Sequence, residues 1–381
     1  MKITNVKAYA LRTKLDTPFA FSQGWVHERG AALVEIETDA GVTGWGEALC
    51  QGLQPPDIAA AVIKSSLAPL VIGRDPRDVE VLWHKMYAHT RDFGGKGAVI
   101  GAISAIDIAL WDILGQSVGL PVWRLLGGAF RKRVQVYATG FYRIRGQGEA
   151  KRLADEAVQR ASEGFTAMKI KLGFGIEDDL KVMNEIGRAI EGRGITLMID
   201  TNHGYGYADA LRLGRALADY HLRWYEEPVV PDDLDGYRAL RAALGIPIAG
   251  GENEYTGYGF KDLLRAQAID IAQPDIAAAG GFTACRHIVA LCQTHGVQVN
   301  PHVWGSSVSQ VASLHLCAAL PVAHHGLFAS EPIFEYDCSA HPFRMQLIKE
   351  PLVHRNGWLD LPQRPGLGIE VDRKTIDQYA A

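Results

Sequence analysis

Cysteine is scarce in this chain and carries no pattern. The five residues (Cys50, Cys285, Cys292, Cys317, Cys338) are odd in number, scattered, and never spaced C-x-x-C. That argues against a disulfide framework or a zinc–thiolate site and fits a reducing, cytoplasmic setting. There is no run of lysine and arginine, and the formal net charge is -4, so the electrostatic footprint of a nucleic-acid binder is missing. No uninterrupted apolar run approaches the roughly 18 residues that span a bilayer. The start, Met1-Lys2-Ile3-Thr4-Asn5-Val6, reads as a strand, without the apolar core and small-residue cleavage site of a signal peptide. Neither nucleic acid nor membrane is an expected partner. What remains is 48% hydrophobic and 22% charged, ordinary for a soluble enzyme, and 381 residues favour two domains over one.

The rhythm of the chain changes near residues 126–132. Before it, Ala32–Thr38 and Val42–Glu47 alternate around the turn Asp39-Ala40-Gly41, which is a hairpin signature. A Pro- and aromatic-bearing loop, Thr17 to Trp25, precedes that hairpin and is long enough to serve as a lid. Helical spacing follows over Asp57–Leu70, Val79–Thr90 and Ala98–Gly115, the last apolar enough for a central packed helix. After the boundary, short apolar runs alternate with amphipathic helical stretches. Seven such runs start at Val134, Ala167, Thr196, Leu222, Ile246, Ile269 and Val297, with an eighth over Gly326–Phe334. That count and alternation predict a parallel (β/α)₈-type barrel. An open doubly wound sheet is the rival, but it calls for a Gly-rich phosphate turn after its first strand, and Gly173-Phe174-Gly175 lacks the third glycine.

The second run of the barrel half, Ala167-Met168-Lys169-Ile170-Lys171-Leu172, places two lysines two residues apart, hence on one face of a strand. Two like charges inside a core strand are costly unless something nearby uses them. Crowding is expected to lower the pKa of at least one, which makes a usable general base.

The following runs each end in a chemistry-bearing residue: Asp200, Glu226, Glu252, Asp275 and His302 in turn. They recur at intervals of about one βα unit, so all face one barrel mouth, where such folds build active sites. Three carboxylates from adjacent strands form an all-oxygen site for a hard divalent cation, with Mg²⁺ its natural occupant. Lys171 flanks that site on one side and His302 on the other, with Asp275 placed to orient the imidazole. A metal between two opposed bases suits removal of a proton next to a carboxylate, through an enediolate.

At these residues the chain resembles the enolase superfamily, in its mandelate racemase subgroup. The K-x-K strand, the acids, the Asp–His pair, Ala105–Asp112 and Pro365-Gly366-Leu367-Gly368-Ile369 carry the likeness. The resemblance implies a (β/α)₇β TIM barrel (129–340) beneath an N-terminal α+β capping domain (1–128), completed by a returning C-terminal segment (341–381). It implies Asp200, Glu226 and Glu252 as Mg²⁺ ligands, and Lys171 and His302 as the two bases. Lys169 would contact the substrate carboxylate and depress the pKa of Lys171. The eighth strand would add a glutamate, Glu335 in Ile333-Phe334-Glu335-Tyr336-Asp337 in preference to Glu331. Loops near Phe19–Trp25 and Cys50–Gln54 would cover the mouth, which makes Trp25 a substrate-binding candidate beside Asn202, His203 and Tyr142. A homo-oligomer is also implied.

Flanking motifs such as Asp200-Thr201-Asn202-His203-Gly204-Tyr205 and Asn300-Pro301-His302-Val303-Trp304-Gly305 resemble the acid-sugar branch of dehydratases and lactone cycloisomerases. The expected activity is therefore α-proton abstraction from a small hydroxylated carboxylate, followed by β-elimination. Racemisation or epimerisation is the alternative within enzymes, and non-catalytic binding of a sugar acid the alternative outside them.

Overall fold

The computed structural model describes residues 1–324 and 326–380. It opens on a three-stranded antiparallel sheet, β1 (Ile3–Phe21), β2 (Gly24–Thr38) and β3 (Thr43–Ala48). Helices follow: α1 (Pro56–Val62) runs through a π turn at Ile63–Leu67 into α2 (Ala68–Val71), then come α3 (Val79–Gly94), α4 (Ala98–Val118) and α5 (Val122–Leu125). The stretch read as a loop over Thr17–Trp25 is instead the far arm of the β1–β2 hairpin, turning at Ser22-Gln23. Pro18 is tolerated because it falls in the register irregularity between Lys14 and Phe19, where its missing N–H breaks no ladder bond.

The β3 sequence Thr43-Gly44-Trp45-Gly46-Glu47 fits its neighbour. A Cβ on Gly46 would lie 1.9 Å from the Ala105 carbonyl oxygen of α4, so only glycine admits the helix this close. By length and composition α4 could cross a membrane, since its two aspartates do not offset its apolar residues. In the fold it is the central cap helix, with 83% of its most apolar window buried. Burying Ile103, Ile106, Leu110 and Ile113 completely contributes roughly 1.5–3 kcal/mol each.

The second part runs β4 (Arg133–Thr139), α6 (Ala150–Ser162), β5 (Ala167–Lys171), α7 (Ile176–Ala189), β6 (Thr196–Asp200), α8 (Tyr207–Ala216), β7 (Tyr225–Glu226) and α9 (Leu234–Ala243). It continues through β8 (Ile248–Gly250), α10 (Thr256–Arg265), β9 (Ile271–Ala272), α11 (Gly281–Thr294), β10 (Gln298–Val299), α12 (Ser307–Ala319) and β11 (Phe334–Asp337). These eight parallel strands pair in sequence from β4 to β10, and β11 pairs with β4, giving the curled sheet of a (β/α)₇β barrel. The eighth strand begins at Phe334, where the run expected from Gly326 ends. Side chains bridge the seam between β10 and β11: Asn300 Oδ1 accepts from Ile333 N at 2.9 Å, and Glu335 Oε2 from Val303 N at 3.0 Å.

The tail contributes to both parts. After α13 (Pro342–Met345), β12 (Trp358–Asp360) pairs antiparallel with β4, and α14 (Arg373–Tyr379) packs on β1. Buried acids of the cap fasten it to the barrel. Asp107 accepts from Thr283 N at 3.0 Å and Glu47 from Ser306 N at 2.7 Å, each at the start of a barrel helix, where the positive end of the dipole favours a carboxylate.

Candidate active site and metal centre

The ladder register assembles the site. Lys171 on β5 pairs with Asp200 on β6, and Asp200 pairs with Glu226 on β7, so three functional side chains leave adjacent strands at one level. Glu252 follows just beyond the end of β8. One oxygen from each of Asp200, Glu226 and Glu252 lies within 4.8 Å of the others, and all three residues are buried. Among the described residues Glu252 Oε2 makes no hydrogen bond, and its nearest polar neighbour of opposite charge is His302 Nε2 at 3.4 Å. An all-oxygen donor set with a buried, unpartnered oxygen fits a hard cation such as Mg²⁺ and suits zinc poorly.

Both lysines reach this cluster. Lys171 Nζ lies 2.5 Å from Asp200 Oδ2 and 2.9 Å from Asn202 Oδ1. Lys169, fully buried, pairs with Glu226, sits 2.8 Å from Glu335 Oε1 and 3.5 Å from Asp200. The expected lowering of a lysine pKa is reversed by the acids around the pair. Burial and Lys169 push Lys171 down, but Asp200, Tyr142 and Glu252 outweigh them and hold it above the ordinary lysine value. Like-charge crowding was only half of the local field. For Asp200, burial opposes ionisation, but the two ammonium groups win and hold its carboxyl below the usual range.

On the other flank, His302 Nδ1 lies 2.7 Å from Asp275 Oδ2. Burial favours the neutral ring, but Glu252, Glu335 and Asp275 raise His302 to about 10. Glu335 is buried between Lys169 and the backbone of Val303. Glu331, the rival, sits half-exposed against Arg131.

A cavity of about 280 Å³ opens over the cluster. Lys171, His302, Glu252, Asn202, His203 and Tyr142 lie on its wall; Lys169, Glu335 and Asp275 lie behind it, so Lys169 makes no direct opening to a substrate here. Trp25 is also absent from the wall and stands 43% exposed. Hairpin alternation explains this: Phe19 and Val26 pair on the inner face, and Trp25, paired with Ala20, faces the other way. The cap supplies Phe21, Gln23, Gln51, Leu53 and Gln54 instead.

Four site residues escaped the sequence reading. Glu227 is buried, and burial together with Glu252 and Asp200 raises its pKa well above the carboxylate range. Gln273 Nε2 donates to Glu226 Oε2 at 2.7 Å, Asn253 donates to Glu227 at 2.7 Å, and Trp304 Nε1 donates to Tyr142 Oη at 2.8 Å. Gln273 was findable, because it sits two residues before Asp275 at a strand end.

A family model for the mandelate racemase/muconate lactonizing enzyme N-terminal domain matches residues 3–127, and one for the enolase C-terminal domain-like fold matches residues 152–375. The chain belongs to the mandelate racemase/muconate lactonizing enzyme family. The chain is similar to members of this enolase-superfamily family along its full length. It is 43% identical to D-galactarolactone cycloisomerase of Agrobacterium fabrum, over 100% of this chain and 99% of that protein. The crystal structure of the 3,6-anhydro-D-galactonate cycloisomerase from Zobellia galactanivorans matches with a TM-score of 0.90 at 39% identity, each chain covered completely. A racemase from Streptomyces coelicolor A3(2) with bound magnesium matches with a TM-score of 0.88 at 29% identity, again over 100% of both chains. The protein is thus an enzyme of this family, and its cap-and-barrel organisation is the family's.

Proposed function

We propose that this enzyme removes the α-proton of an acid sugar or its lactone and that the resulting enediolate expels a β-substituent. The observation that carries the reading is the placement of Lys171 and His302 on two sides of the carboxylate triad in one cavity. Asp200, Glu226 and Glu252 would hold Mg²⁺, which when bound would grip the substrate carboxylate and stabilise the charge of the enediolate.

One of the two bases, as its neutral form, takes the α-proton, and the C–H electron pair moves toward the carboxylate. The pair then returns to form the C=C bond as the β C–O bond breaks. The other base, protonated, gives its proton to the departing oxygen. Asp275 holds the His302 imidazole in one orientation, so that Nε2 faces the cavity side where Glu252 lies. Water leaving makes the enzyme a dehydratase; a ring oxygen leaving makes it a cycloisomerase.

The rest of the cavity suits a hydroxylated substrate. Away from Lys171, its wall includes Phe21, Leu53 and Trp304 with the neutral amides Gln23, Gln51, Gln54 and Asn253. Such a surface accepts the hydroxyls of a sugar chain or ring. Asn202, His203 and Tyr142 would grip hydroxyl groups.

Two bases in one cavity also suit epimerisation, and one experiment separates the readings. With Mg²⁺ and a library of acid sugars and lactones in D₂O, followed by NMR, elimination products support the proposal. Deuterium incorporation with inversion and no elimination moves the activity to epimerisation.

A further inference from the structure

The turn after β6 is held in an unusual backbone state. Asn202 and His203 follow one another with φ of 40° and 50°, a region side-chain-bearing residues rarely occupy. The barrel holds the turn from one side, where His203 N donates to Glu227 O at 2.8 Å and Thr201 Oγ1 to the same carbonyl at 2.9 Å. The cap holds it from the other. Ser22 Oγ, at the tip of the β1–β2 hairpin, lies 2.7 Å from Thr201 O and 3.1 Å from Asn202 O, and Gln23 Nε2 donates to Asn202 O at 2.8 Å.

The tip is seated where no side chain interferes. A Cβ on Gly173 would stand 2.7 Å from Ser22 Cβ, and one on Gly204 3.0 Å from it. The held turn in turn presents Asn202. Its backbone N–H donates to Asp200 Oδ1 at 2.8 Å, and its side-chain Oδ1 accepts from Lys171 Nζ at 2.9 Å. The contacts therefore run from a cap hydroxyl, through a strained turn, to one of the two bases and not to the other.

We infer that Ser22 is a positioning residue for Lys171, acting through Asn202. Ser22 is not on the cavity wall, so its effect reaches the reaction by aiming the amine and not by binding substrate. The inference rests on the proposed role of Lys171 as a base. A misaimed group loses rate steeply with displacement, and a single lost hydrogen bond changes an equilibrium by about fivefold to tenfold.

The test measures α-hydrogen exchange in D₂O, with Mg²⁺, on a pair of α-epimeric sugar acids. Lys171→Ala and His302→Ala assign which face of the substrate each base serves. Ser22→Ala is expected to lower kcat for the Lys171-dependent face by about tenfold with KM changed less than about twofold, and to leave the His302-dependent face at the wild-type rate. That second face also reports that the variant is folded. Ser22→Thr, which keeps the hydroxyl, restores the Lys171 face, and Gly204→Ala, which presses on Ser22, reproduces the selective loss. Equal losses on both faces, a change confined to KM, or no change overturns the inference. Absence of both exchange and elimination on every acid and lactone by the wild-type protein removes the proposed function itself, and this inference with it.

Discussion

His302 and Asp275 are joined Nδ1 to Oδ2 at 2.7 Å, although they follow different strands, β10 and β9, and lie 27 residues apart. The acid is fully buried and fixes both the tautomer and the direction of the ring. Asp275→Asn keeps the shape and removes the charge. Exchange through His302 is expected to fall about 10²–10⁴-fold, the usual worth of a positioned acid or base, with exchange through Lys171 much less affected. Deuterium incorporation measured for each face checks this.

Removing the divalent cation with EDTA should abolish exchange, and Mg²⁺ should restore it. A readout independent of activity is also available. Mg²⁺ at a hundredfold excess over Kd should raise the unfolding free energy by about 2.7 kcal/mol, and the unfolding midpoint with it. Glu252→Gln should weaken Mg²⁺ binding at least about tenfold by calorimetry, since it replaces one of few charged ligands. Unchanged affinity would mean that the ion does not use this oxygen.

The two candidate glutamates near the eighth strand should behave differently. Glu335 is buried against Lys169, so Glu335→Ala leaves a buried ammonium short of a partner and should destabilise by about 3 kcal/mol. Glu331 keeps 56% of its side chain exposed, and the buried guanidinium of its partner Arg131 also donates to the Cys317 and Leu320 carbonyls, so Glu331→Ala should cost less, about 1 kcal/mol. Urea unfolding of the two variants decides.

Asp107 gives a pH signature at the cap–barrel junction. Burial raises its pKa to about 7, against the ordinary carboxyl value of 3.8. With the folded value raised, its contribution to stability is fully present below about pH 3.8 and is lost as pH rises through 7. Asp107→Asn cannot titrate, so its stability should fall less than that of the wild type between pH 4 and 7.5. Parallel pH profiles of the two proteins would contradict the assignment.

Much of the site was legible in the sequence because a parallel barrel repeats its strand ends at one level. Asp200, Glu226, Glu252, Asp275 and His302 could be read as one mouth from spacing alone, and the register places Lys171, Asp200 and Glu226 side by side. Strand length was less legible. β7, β9 and β10 keep two residues each in ladder geometry, since one or two paired residues suffice to hold a short barrel strand already buried on both faces.

The misreadings share a physical cause, which is that each depends on contacts far apart in the chain. Pro18 and Gly24 look like loop residues, yet the hairpin absorbs the proline at an irregularity and runs on to Phe21. Trp25 looked like a lid aromatic, but its parity in β2 turns it away from the cavity. The lysine pair was judged by its mutual repulsion, while the acids that reverse the shift arrive from β6, β7 and β11.

The central claim is proton abstraction by two bases flanking a cation site, and α-hydrogen exchange tests it most directly. Wild-type protein with Mg²⁺ in D₂O is predicted to exchange or eliminate the α-hydrogen of at least one acid sugar or lactone, and the Lys171→Ala, His302→Ala double variant to do neither. Exchange at the wild-type rate by that double variant would contradict the account.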